Sequence, residues 1–177
     1  HTQASLDKAM ELGLADSITL DPAKAVANAD LVVLCAPIGA CGELAKAMKP
    51  GLKPGAIVSD VGSVKAAIIH DVGQHLPNGV HLVPGHPVAG TEHSGPEAGF
   101  PELFKGRWCI LTPPPQTNEA AIGLVTQMWQ AAGMNVEIMD AAHHDHVLAI
   151  TSHLPHLIAY SIVATATDLE SHLQKEV

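Results

Sequence analysis

In the middle of this 177-residue chain, the segment Val83-Pro-Gly-His-Pro-Val-Ala-Gly-Thr-Glu-His-Ser-Gly95 sets two histidines and a glutamate among five turn formers, directly after an apolar run. An imidazole titrates near neutral pH, so His86 at the end of a strand has the chemistry of a general base. In open α/β sheets, ligands collect beyond the carboxyl ends of the strands. The competing reading is a surface loop whose histidines are solvated. Asp60-Val-Gly-Ser-Val-Lys65 also follows an apolar run and opens a helical pattern, which brings the Ser63 hydroxyl and a helix N-terminus toward the same edge. The plainer reading of Ser63 is a helix N-cap.

Twelve histidines is a high count for this length, and His143, His144, His146, His153 and His156 lie on one helical pattern. At about 100° per residue, His143, His146, His153 and His156 fall within an arc of roughly 140°, a face able to touch a ligand. The spacing matches neither the HExxH of a zincin nor a Cys and His finger, and no nearby Glu offers the usual base. No metal is therefore expected, and residues 143–146 read as an exposed, His-rich helix start.

The elements that must position these groups alternate between strand-like and helical runs, the pattern of a parallel sheet covered by helices. Leu31–Ala36 and Ala56–Asp60 are nearly continuous apolar runs, as expected of strands buried on both faces. Val80–Val83, Trp108–Thr112 and Val136–Met139 read as further strands. Asp21-Pro22 supplies an N-cap and a proline at the first helical position, opening a short helix to about Asn28. Gly39–Met48 and Ser63–Leu76 read as crossover helices, and Pro113-Pro-Pro115 separates a strand from a helix over Asn118–Ala132. From Ala141 onward the pattern is helical throughout, interrupted only by Pro155, whose missing N–H predicts a bend near His153. The expected division is 1–140 and 141–177.

Composition narrows the function. Apolar residues make up 47% and charged residues 15%, which excludes intrinsic disorder. Nine Lys and Arg against 18 Asp and Glu give a net charge of -9, leaving no basic field for a nucleic acid. The longest apolar stretches, 31–41 and 154–166, are interrupted by Pro, Gly, His or hydroxyl residues, so no membrane span is expected. Cys35, Cys41 and Cys109 form an odd set without a CxxC pair, and Cys35 reads as a buried thiol within an apolar run. A reducing cytoplasm fits. No GxGxxG occurs, so in a dinucleotide-binding fold the phosphate loop would lie before His1, and both ends of the chain read as cuts through a longer protein.

Four blocks, in order, resemble the prephenate and arogenate (cyclohexadienyl) dehydrogenase family of tyrosine biosynthesis. They are Ala29-Asp-Leu-Val-Val-Leu-Cys-Ala-Pro37, Ser59-Asp-Val-Gly-Ser-Val-Lys65, Gly85–Gly95 with Leu103, Phe104 and Arg107 behind it, and Ser152-His-Leu-Pro-His156. The resemblance implies a Rossmann-like, mostly parallel α/β sheet followed by the start of an all-helical dimerisation domain, NAD or NADP as cofactor, and a homodimer. It implies that prephenate or arogenate is oxidatively decarboxylated, with His86 as base and Ser63 beside it. Thr91, Glu92, Ser152, His153 and His156 would lie on the substrate side; Cys35, Ala36, Pro37 and Asp60 would lie on the cofactor side. The principal substrate arginine of the family is expected beyond Val177. The alternatives are a nicotinamide-dependent dehydrogenase of the β-hydroxyacid type, whose lysine base the helix from Ala141 does not offer, and a non-catalytic module that only dimerises.

Overall fold

The apolar runs form the expected strands, shortened or shifted by a residue or two at their ends. The computed structural model describes residues 2–91, 93 and 95–173. Helices α1 (Gln3–Glu11) and α2 (Pro22–Ala25) precede strand β1 (Leu31–Leu34). Then come α3 (Ile38–Met48), β2 (Ile57–Asp60), α4 (Ala66–Gly73), β3 (His81–Leu82), β4 (Gly85–Pro87) and β5 (Trp108–Leu111). The chain continues through α5 (Glu119–Ala131), β6 (Asn135–Ile138), α6 (Ala141–Leu148), a π-helical turn (Ala149–His153) and α7 (Leu154–Leu173). Asp21 caps α2 by accepting from the N–H groups of Ala23 and Lys24, and Asn118 caps α5 in the same way.

Strands β1, β2 and β3 run parallel, with Leu31 opposite Ile57 and Ile57 opposite His81. β4 pairs antiparallel with β5, Gly85 opposite Leu111, and β5 pairs parallel with β6. β3 and β4 are two halves of one extended stretch that changes partners. Val83 N–H still donates to Val58 at 2.9 Å, whereas the Pro84 carbonyl already accepts from Thr112 N–H at 2.9 Å. Pro84 has no N–H to give to a ladder, so the changeover falls there. The segment read as a possible surface loop therefore begins as a strand, all three of whose residues are buried.

Successive strand residues point to opposite faces, and the core divides accordingly. Leu34, Val58 and Leu82 join Cys41, Ala45, Met48, Ile68 and Val72 from α3 and α4. Ile57 and Val83 join Leu111, Val125 and Trp129 on the side covered by α5.

Three expectations need correction. Cys35 is exposed rather than buried, because β1 ends at Leu34 and the chain turns there toward α3. Ser63 is not a cap: α4 begins at Ala66 behind Lys65, with no side chain of its own over its first turn. His144 is 0% exposed, so the start of α6 is not simply a solvated His-rich surface. His143 and His146 do face solvent, while His144 shares its helix face with buried Leu148, one turn on.

Candidate active site

β2 ends in Asp60, whose carboxylate is 1% exposed and ties together three pieces of chain. Its Oδ2 accepts from Lys65 Nζ at 2.5 Å and from Gly62 N–H at 2.8 Å, and its Oδ1 accepts from Gly85 N–H at 3.2 Å. Lys65, 0% exposed, gives a second bond to the Gly85 carbonyl at 2.6 Å. Burial pushes Asp60 up and Lys65 down, and their mutual attraction opposes both shifts. Two glycines make this knot feasible. A Cβ on Gly62 would stand 3.0 Å from Asp60 Oδ2 and from Ile38, and one on Gly85 would stand 3.2 Å from the Asp60 carbonyl and from Leu111.

The knot fixes both ends of Gly85, and the next residue is His86, 8% exposed. Its Nδ1 lies 2.9 Å from His144 Nε2, with the rings edge to face. His144 Nδ1 lies 2.8 Å from Asp145 Oδ1. The same Oδ1 accepts from Lys65 N–H at 2.8 Å, and Oδ2 accepts from Ala66 N–H at 2.9 Å. Asp145 of α6 thus supplies the cap that α4 lacks, bonding across 79 and 80 residues of sequence. Burial depresses the His86 pKa, and His144, Lys65 and His153 add to that effect against Asp145, bringing it to about 4. Burial alone would raise Asp145, but the two backbone N–H groups and His144 outweigh it and hold the carboxyl below its ordinary value.

The other expected site residues are less engaged. Ser63 is half-buried and makes no hydrogen bond among the described residues, and the partner that orients His86 is His144. Thr91 is exposed and accepts from His93 N–H; Glu92 lies outside the described residues. Ser152 and His153 sit half-buried in the π-helical turn, with His156 exposed just beyond. In that turn Leu154 N–H reaches back to the Ala149 carbonyl. The wider turn directly precedes Pro155, whose ring would crowd a carbonyl in a regular helix, and this is the form the expected bend takes. Cys35 and Pro37 are exposed and Ala36 is half-buried at the end of β1. Asp60, expected to face a cofactor, instead has both oxygens taken inside the knot.

An apolar cavity of about 390 Å³ runs from Val33 and Cys35 past Val61, Pro87 and Ala89 to Trp129, beside the strand that carries His86. Parallel strands with covering helices, a groove at their carboxyl ends and a buried histidine beside it place the chain among dinucleotide-dependent dehydrogenase folds. Residues 1–138 match the nucleotide-binding domain of prephenate dehydrogenase, and residues 140–177 match its dimerization domain. The chain belongs to the prephenate dehydrogenase family, which displaces the β-hydroxyacid alternative. It is 48% identical to a cyclohexadienyl dehydrogenase of Zymomonas mobilis, over 93% of this chain and 56% of that protein. A prephenate dehydrogenase of Aquifex aeolicus, solved with hydroxyphenyl propionate and NAD+, superposes with TM-score 0.85 at 38% identity, over 93% of this chain and 57% of that one. An arogenate dehydrogenase of Synechocystis gives TM-score 0.83 at 29% identity, over 93% and 58% of the two chains. The chain therefore spans little more than half the length of these proteins.

Proposed function

We propose that this chain carries the nucleotide-side half of an active site that oxidatively decarboxylates prephenate or arogenate, with NAD or NADP as cofactor, in tyrosine biosynthesis. The observation that carries the reading is His86: a buried imidazole in the middle of the short strand β4, with Nδ1 already bonded to His144 and Nε2 left to meet a substrate. Burial lowers its proton affinity and keeps the ring neutral through the physiological range, so that one ring nitrogen holds a lone pair. In the reaction, the ring hydroxyl gives its proton to His86 Nε2 as the carbon bearing it loses hydride. The C–O bond becomes a carbonyl; as carbon dioxide departs, the electron pair of the broken C–C bond makes the ring aromatic, and the carbonyl oxygen, now a phenolate, takes the proton back from His86. Bound NAD or NADP supplies the hydride acceptor.

The residues at the strand ends fit such a cofactor. Cys35, Ala36 and Pro37 form an open rim at the end of β1, and the apolar cavity between Cys35 and Pro87 has the lining a flat heterocycle needs. Asp60 holds the knot under His86 rather than the nucleotide. Ser63, Thr91 and Glu92 from the first matched segment, and Ser152, His153 and His156 from the second, are assigned to the substrate side. This assigns 1–140 to the nucleotide side and 141–177 to the start of the helical dimerisation domain.

The homodimer is supported by α7. Leu157, Ile158, Ile162 and Val163 are all more than half exposed. By length and composition the continuous run Ala141–Glu170 could cross a bilayer, a property that no single interrupted stretch of sequence had indicated. Its match to a dimerization domain supports a second subunit as the cover of that apolar surface. Three free thiols fit a reducing cytoplasm. The test is reduction of NAD or NADP by the complete gene product with each substrate, followed by nicotinamide absorbance. Turnover with prephenate, arogenate or both is expected; a folded protein inert toward both refutes the reading.

A further inference from the structure

The role of His86 as base does not explain why two more ionisable side chains are ordered behind it. His144 is wholly buried, and Asp145 caps a helix to which it does not belong. The direction of the hydrogen bonds supplies the explanation. A backbone N–H is a donor that no tautomer can reverse, and Lys65 N–H and Ala66 N–H occupy Asp145 from one side. An ionised carboxylate only accepts, so the proton between Asp145 and His144 sits on His144 Nδ1. In a neutral ring, Nε2 of His144 then offers a lone pair to His86. Two lone pairs cannot bond, so His86 Nδ1 carries the next proton, and its Nε2 is left bare.

We propose that His144 and Asp145 are positioning residues that hold His86 in the one tautomer able to accept a proton at Nε2, with the N-terminus of α4 anchoring the far end of the chain. The proposal rests on the reading of His86 as base. It also gives the second matched segment a task in the first: the tautomer of a residue within 1–138 is set by two residues within 140–177. The ionisable groups bearing on His86 are His144 and Asp145 from α6, Lys65 from the start of α4 and His153 from the π-helical turn. Lys65 is committed to Asp60 and the Gly85 carbonyl, so it does not compete for either imidazole.

The test combines a tautomer measurement with kinetics on the complete gene product. Nitrogen-15 NMR of the unliganded wild type should show His86 and His144 both protonated at Nδ1; finding His86 protonated at Nε2 overturns the proposal before any variant is made. His144→Phe keeps a ring in that place and leaves the Asp145 cap on α4 untouched, but offers His86 Nδ1 no lone pair. His86 should then lose its fixed Nδ1 proton, and the Nε2-protonated form should appear in the spectrum. The expected result is a fall in kcat of about 10-fold or more, with KM and cofactor Kd nearly unchanged. An unchanged His86 tautomer, or a changed one with normal kcat, overturns it. Should His144→Phe not fold, Asp145→Ala, which removes the carboxylate that fixes the His144 proton, must give the same tautomer change and a kcat loss without a KM change; normal kcat there overturns the proposal. Absence of any wild-type turnover would refute the base reading instead, since the wild-type spectrum is read without substrate.

Discussion

The proposed base His86 and its supports stand in contrast to the π-helical turn and α7. Around His86 almost every polar group has a partner: Asp60, Lys65, Gly85, His144 and Asp145 are bonded to one another and mostly buried. Around Pro155, Ser152 and His153 are half-exposed, and His156 and most of the apolar side chains of α7 face outward. The first region carries its own order within residues 1–177; the second presents groups that something else must meet. Substitutions in the first should therefore act on chemistry and folding, and those in the second on binding.

The sharpest test is His86→Asn. Removing the positioned base should lower kcat by about 10²- to 10⁴-fold with little change in KM. In the wild type, the acid limb of kcat/KM should lie well below neutral, because burial holds the free-enzyme pKa of His86 near 4; below that pH the ring is protonated and cannot act. The variant's residual rate should lack this limb. Near-normal kcat would reduce the buried region to scaffold and erase the contrast.

Next in size comes Lys65→Met. Lys65 and Asp60 are each within 1% of complete burial, and removing one partner of such a pair typically costs about 3 to 5 kcal/mol, because the other is left without compensation. Urea unfolding should show that loss, and the double variant with Asp60→Asn should recover part of it. A loss no larger than that of a surface lysine would show that the knot does not hold Gly85 in place.

Much of the scaffold was legible from local pattern: five strands from Val, Ile and Leu runs, two helix starts from Asp21 and Asn118. The site was legible in part. β4 escaped because Gly-His-Pro has no strand propensity; pairing with β5 makes it one. His144 and Asp145 escaped for a related reason. Grouping histidines by helical angle selected His143, His146, His153 and His156, whereas His144 belongs with Leu148 on the inward face. The shared burial of an i, i+4 His and Leu pair was a usable signal. Its partner, 58 residues earlier, was not. Nor does anything local mark Lys65 as buried, since a lysine beside the start of a helix ordinarily faces water.

The smallest expected effect is on the open side. His156 is exposed and not packed into a core. Its replacement leaves no cavity and no stranded buried donor, and away from such features a surface change usually stays within about 0.5 kcal/mol. The thermal midpoint of His156→Ala should therefore match the wild type. Its contribution should appear only when substrate is present: if the imidazole contacts the bound acid equally in the ground and transition states, KM rises while kcat holds. Cofactor Kd should not move, because His156 lies on α7 just beyond the π-helical turn, among the residues proposed for the substrate side. Steady-state kinetics and a melt on one preparation decide it. A lowered midpoint with unchanged KM would move His156 from the binding side to the folded framework, and the division between a finished half and an open half would have to be redrawn at Pro155.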